Sequence, residues 1–174
     1  MTGIIVRVTP LATPAIADVR WDEDSFTLSC GIRYAPDNQP ARPTMLRDRL
    51  DGQFGIPSDA PRIIIAGTLT LTLDRASRLS SLDFYTNVDY WRKVDTLPPI
   101  PVSPRTPSFW AEFDAFGRAS APEPAVGLDR ASQCIYLIWR DDASVRYTIG
   151  PNVSVAAASD GSLARIELAG ISPF

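Results

Sequence analysis

Residues 62–84 read RIIIAGTLTLTLDRASRLSSLDF, and residues 146–168 read RYTIGPNVSVAAASDGSLARIEL. The two stretches align without a gap, setting Arg62 on Arg146, Ile65 on Ile149, Leu79 on Leu163 and Asp83 on Glu167. Each predicts two strands around a turn. In the first, Leu69, Leu71 and Leu73 alternate with Thr68, Thr70 and Thr72, the period of a strand with one buried face. In the second, Val153, Val155 and Ala157 take the apolar positions. The turns fall at Asp74–Arg78 and Ser159–Ser162, where Asp160-Gly161 suits the positive φ of a tight hairpin. On the returning strands Leu79 and Leu82, like Leu163 and Ile166, stand three apart instead of two. One extra residue at Ser80/Ser81 and at Ala164/Arg165 restores the face, so a β-bulge is expected in both.

A second related pair lies upstream, VRWDEDSFTLSCGI at 19–32 and VGLDRASQCIYLIW at 126–139. Asp22 then matches Asp129, and a two-residue gap brings Phe26 and Leu28 onto Ile135 and Leu137. The expected fold is therefore all-β: antiparallel sheets built from two related four-stranded β-meander repeats, with little helix. A lone small meander leaves an apolar face in water, and a second copy covers it. The first repeat spans 1–94 and carries a long insertion at 35–61, where prolines make the chain irregular and Thr44 is placed to cap a short helix ending at Leu50. The second spans 126–174. Between them, 95–125 reads as a Pro-rich linker whose aromatic segment Ser108–Gly117 is compatible with one or two helical turns. All three parts are expected to form one compact domain.

In the second repeat, LDRASQCIYLIW followed by VRYTIGPNVSVAAASDGSLARIEL resembles a family of small bacterial β-hairpin domains of unknown function. In that family an Asp turn and a Tyr-Leu strand precede a closing hairpin of the form DG-x-L-x-x-I-E. The resemblance covers about residues 126 to 171 and implies a structural pattern, with no catalytic residues to carry over. The first repeat departs from it, with RASR in place of the Asp-Gly turn.

The chain has 174 residues, a net charge of −3 and scattered acids, so it offers no electrostatic footprint for nucleic acid. It has neither a secretory start nor an apolar run of ~18 residues, which points to a soluble, cytoplasmic protein without a membrane partner. Cys30 and Cys134 lie far apart and in no metal or redox spacing. The chain contains no histidine, which excludes Ser-His-Asp and Cys-His catalysis and imidazole metal sites. The acidic run Asp22–Glu23–Asp24 offers oxygen ligands but lacks EF-hand alternation, and its place in a hairpin favours a solvated turn. No phosphate-binding loop is present, and no cofactor or metal is expected.

What remains is binding. Tyr85, Tyr90, Trp91 and Arg92 follow the first hairpin closely enough to form one surface, and aromatic rings beside arginine stack on sugars or on a partner's side chains. Trp110 and Phe113, in the aromatic segment, either plug an open end of the sheets or form a second patch. The leading expectation is a non-enzymatic protein that presents a sheet surface to a protein partner, of toxin-neutralising (immunity) type or as part of a phage or secretion assembly. The alternative is a small-ligand or carbohydrate binder, with weak carboxylate-dependent hydrolysis as an extension. A concave aromatic pocket favours the second, and a flat or convex patch the first. Edge strands leave a homodimer open.

Overall fold

The structure, a computed structural model, describes residues 3–36, 53–54 and 61–171. The insertion 35–61, with its expected helix from Thr44, lies almost wholly outside the described residues. The chain is all-β. In order, the strands are β1 (Ile5–Val8), β2 (Ala15–Asp22), β3 (Thr27–Tyr34), β4 (Arg62–Ala66), β5 (Leu69–Leu73), β6 (Leu79–Tyr85), β7 (Arg92–Lys93), β8 (Val102–Ser103), β9 (Pro107–Trp110), β10 (Arg118–Ser120), β11 (Ala125–Asp129), β12 (Cys134–Ile138), β13 (Ala143–Gly150), β14 (Val153–Ala158) and β15 (Leu163–Ala169). They form a six-stranded sheet, β10-β4-β5-β6-β3-β2, a seven-stranded sheet, β7-β11-β12-β15-β14-β13-β8, and a ribbon, β1-β9.

Within both sheets five strands keep one order: β4-β5-β6-β3-β2 in the first and β13-β14-β15-β12-β11 in the second. This differs from a plain meander. The stretch 62–73, expected as a single strand, breaks at Gly67-Thr68, and its counterpart breaks at Pro151-Asn152. Each half thus has five strands, and β3 or β12 returns beside the last strand of the following meander, a Greek-key connection. The expected bulges are present: Leu73 pairs with Leu79 after Thr72 with Ser81, and Ala157 pairs with Leu163 after Ala156 with Arg165. Ser80 and Ala164 are the extra residues. The two-residue gap upstream is wrong, because Leu28 opposite Phe84 and Ile135 opposite Leu168 hold the same place. Asp22 and Asp129, and Phe26 and Gln133 with positive φ of 52° and 51°, then fall into line without a gap.

The inner faces of both sheets meet in one apolar core that includes Leu28, Leu71 and Leu82 from the first and Ile135, Val155 and Ile166 from the second. The β1-β9 ribbon closes one end. Phe109 N–H donates to the Ser77 carbonyl in the first sheet's hairpin turn at 2.7 Å, and Val6 N–H donates to the Gly161 carbonyl in the second's at 2.8 Å. Val6 and Phe109 are themselves paired. The leading strand of each half therefore caps the turn of the other half. The aromatic segment forms no helical turns: its start, through Trp110, belongs to β9, where Phe109 is buried and Trp110 faces solvent, and 111–117 is irregular chain ending in a turn.

The region expected as a linker is structured by what it crosses. β7 lies on one edge of the seven-stranded sheet and β8 on the other, so Val94–Pro101 runs between the two edges. Val94 N–H donates to the Leu128 carbonyl, and Arg146 N–H donates to the Pro101 carbonyl. Val94, Leu97 and Ile100 are half-buried while the residues between them are exposed, the three-residue period of an extended proline-rich segment. The sheet face away from the core is buried as well: Ser154, Ala156, Arg165 and Glu167 are all inaccessible. We therefore describe Val94–Pro101 as a strap over that face. Its eight residues reach at most ~29 Å, about the width of six flat inter-strand spacings, so the strap must run nearly fully extended. Gly127 makes room for it, because a Cβ there would stand 2.5 Å from Val94 Cγ2.

Candidate functional site

Where β6 ends, local hydrogen bonding turns the chain outward. Asn87 Oδ1 accepts from Asp89 N–H at 2.9 Å and starts a single 3-10 turn, Val88–Tyr90. That turn leaves Tyr90 82% exposed, beside Tyr85 at 59%. Trp91 goes the other way: its ring meets Trp21 edge-on at 5.0 Å, and its Nε1–H donates to the buried Thr86 hydroxyl at 2.9 Å. Arg92 then enters β7 opposite Gly127 and stays exposed.

Two distant segments complete the surroundings. Thr68, in the β4-β5 turn, donates its hydroxyl to the Tyr85 carbonyl at 2.5 Å. The connection from β10 to β11 brings Glu123 against Gly67, where a Cβ would lie 2.4 Å from Glu123 Cδ. Gly67 also has φ of 64°, the left-handed conformation that favours glycine. The result is a groove of about 470 Å³ at the seam between the two sheets, lined among others by Thr68, Tyr85, Asn87, Tyr90, Arg92 and Glu123. Its volume falls in the range of small-molecule sites, which favour such junctions.

The six residues singled out by sequence are divided. Tyr85, Tyr90 and Arg92 line the groove, while Trp91 is a partly buried support whose ring packs on Trp21. Trp110 and Phe113 sit at the other end of the first sheet. Trp110 lies under the Arg7 guanidinium at 5.4 Å, and Phe113 is partly buried under that of Arg62 at 5.9 Å. The groove's polar groups, Thr68, Asn87 and Glu123, were not singled out, because nothing in the local sequence announces that three separate connections converge.

Other chemistry is quiet. Burial first, then nearby carboxylates, pushes the Cys30 thiol up to about 12, and burial pushes Cys134 up to about 11, so neither is a thiolate nucleophile near neutrality. Asp22 acts as a turn residue, its Oδ1 accepting from Asp24 and Ser25 N–H. Among the described residues no cluster of three or more acids or cysteines is placed to hold a metal, and no helix is long and apolar enough to cross a membrane. No protein-family model matches the chain, and no curated protein matches it.

Proposed function

We propose that this is a non-enzymatic binding protein whose recognition site is the groove at Tyr85 and Tyr90. Its concavity carries the reading: two solvent-facing aromatic rings stand over a cleft whose rim offers an amide, a carboxylate, a guanidinium and a hydroxyl from Asn87, Glu123, Arg92 and Thr68. Such a set suits a compact polar ligand of the carbohydrate class, which stacks an apolar ring face on tyrosine and hydrogen-bonds through its hydroxyls. Glu123 is the single carboxylate among the described lining residues, whereas glycoside hydrolysis uses a pair across the bond. That supports binding over turnover.

The test is a glycan-array screen of the full chain, followed by titration of any hit against Tyr85→Ala and Tyr90→Ala. Losing a stacking ring is expected to cost about 1 kcal/mol or more, roughly a fivefold or larger loss of affinity, with thermal stability unchanged. Retained affinity in both variants would place the site elsewhere. A protein partner, of immunity or assembly type, is the second reading, favoured by the half-exposed Trp110 stacked under Arg7 on the β1-β9 ribbon. Capture of one stoichiometric partner whose binding is lost in Trp110→Ala and kept in Tyr90→Ala would replace the first reading with this one.

A further inference from the structure

On the face of the seven-stranded sheet beneath the strap, Arg165 stands where the first sheet has Ser81, and Glu167 stands where it has Asp83. Arg165 and Glu167 have side chains only 8% and 9% exposed. Arg165 Nε–H donates to Glu167 Oε1 at 2.7 Å, and Arg146 Nε–H donates to Oε2 at 2.8 Å. One carboxylate therefore serves two guanidiniums, and the group carries one surplus positive charge. Asp129, the nearest other acid on this face, is engaged by Ser132 and Thr96. Asp95 on the strap forms no ion pair with either arginine among the described residues.

Each guanidinium has five N–H donors and commits one of them here. The terminal nitrogens of Arg146 and Arg165 have no hydrogen-bond partner among the described residues. Arg165 is nine-tenths buried and paired with Glu167, yet its terminal nitrogens are not sealed off, because among the described residues the fully buried side-chain polar atom without a partner is Trp21 Nε1. The outer donors are open to a ligand that enters from solvent. The geometry is suited to a ligand. The two arginines lie on one face with only Ala156 between them in the register, and their shared carboxylate holds both forks together. Ser154, opposite Glu167 and also buried, puts a hydroxyl alongside. Arg146, 37% exposed on the strand next to β8, leaves an entrance at that edge.

We propose that this niche binds a small oxyanion group, a phosphate or a carboxylate, which bridges the outer nitrogens of Arg146 and Arg165 and neutralises the surplus charge. Planar guanidinium forks match both groups in bidentate fashion. This site lies on the opposite side of the sheet from the shared core and uses none of the groove residues.

The probe is inorganic phosphate, with acetate in parallel, added to the full chain at pH 7 and constant ionic strength. The wild-type Tm is expected to rise with the logarithm of concentration above the apparent Kd, by about 3–5 °C at ten times that Kd. Arg146→Gln should abolish the rise, and it leaves Arg165 and Glu167 as a neutral pair, so the variant should fold. Arg92→Gln, in the groove, should keep the rise, which separates this site from the proposed recognition site. Whether phosphate or acetate gives this logarithmic rise identifies which oxyanion the niche takes. A rise that is linear in concentration, or one that persists in Arg146→Gln, is general salt stabilisation and overturns the proposal, as does the absence of any rise.

Discussion

The two sheets share a strand order, a bulge and a pair of turns, yet one face of the first is open while both faces of the second are covered. On β5 the leucines are buried and the threonines are half-exposed, whereas every residue of β14 is buried. The same contrast separates β6 from β15. The strap makes the difference. An antiparallel sheet ordinarily keeps one solvated face, which shows as clean alternation, and the first sheet does so. Under the strap the second sheet has Ala156 where the first has Thr72 and Arg165 where it has Ser81, and it keeps an acid, Glu167, where the first has Asp83. A single backbone pattern thus supports two kinds of outer surface, and the groove opens where the chain leaves the first sheet to become the strap.

The strongest challenge to this comparison is to ask whether the halves are energetically separate. Leu71→Ala in the first sheet and Ile166→Ala in the second each empty a fully buried site, at an expected cost of ~2–5 kcal/mol. Because the core is continuous, both should lower the midpoint of one cooperative denaturant transition without splitting it. Two resolved transitions, each moved by only one substitution, would show that the sheets unfold independently.

Glycine tests the covered face against the open one. Gly127→Ala places a methyl group on Val94, whose β-branched side chain has little rotamer freedom to yield, and should cost ~1–3 kcal/mol. Gly31, on β3 in the first sheet, has nothing within 4 Å of its Cβ position. Gly31→Ala should be neutral or stabilising by up to ~1 kcal/mol through the unfolded chain. Equal costs, read from urea midpoints, would mean that the strap does not press on the second sheet.

The hairpin turns sharpen the same comparison on a smaller scale. Ser77 and Gly161 occupy equivalent places with φ of 61° and 82°. Gly161→Ala has room for its methyl group, so its expected cost of ~1–2 kcal/mol is conformational. The first half already carries that strain at Ser77 and offsets part of it with the hydrogen bond its hydroxyl accepts from Arg62 at 2.6 Å. Ser77→Gly is therefore expected to change the Tm less than Gly161→Ala does.

These contrasts also explain what could be seen in the residues beforehand. Alternation in TLTLTL and the three-residue step from Leu79 to Leu82 are local consequences of the pleat, so strand, face and bulge were all legible. The breaks at Gly67-Thr68 and Pro151-Asn152 were hidden because apolar residues continue on both sides of a turn only two residues long. Phe109, Trp110, Phe113 and Phe116 mimic helical spacing, but pairing with β1 decides for a strand, and that partner lies about a hundred residues away in sequence. The strap was read as a spacer because proline forbids ladder hydrogen bonds, and nothing local shows that an extended segment will lie on a sheet. For the groove, the aromatic half was legible as a cluster in sequence. Its polar half depends on the β10-β11 connection meeting the β4-β5 turn, which is a property of the topology alone.

The smallest expected difference concerns acid. Asp22 and Asp129 sit at equivalent turns, and both carboxyls are held below the usual carboxylate range. At Asp22 the Ser25 side chain and the Ser25 and Asp24 backbone are responsible. At Asp129 the Ser132 side chain contributes most, then its backbone, with further bonds from Thr96 and Ala131. A carboxyl whose folded value is lowered stabilises the protein above its unfolded value, near pH 4, and that contribution is lost as pH falls through the folded value. Both turns therefore weaken below about pH 4. They should not weaken with equal consequence, because Thr96 belongs to the strap and donates its hydroxyl to Asp129 Oδ2 at 3.1 Å. Protonating Asp129 loosens an anchor of the covered face, while protonating Asp22 affects only an exposed hairpin. Between pH 5 and 3 the fall in Tm should be shallower in Asp129→Asn than in Asp22→Asn, and the protection factor of the Val94 amide, corrected for the intrinsic slowing of exchange in acid, should fall in the wild type. If the two variants gave superimposable acid profiles, the strap would owe nothing to the Asp129 turn, and its hold on the second sheet would rest on Gly127 and the backbone bonds at its ends.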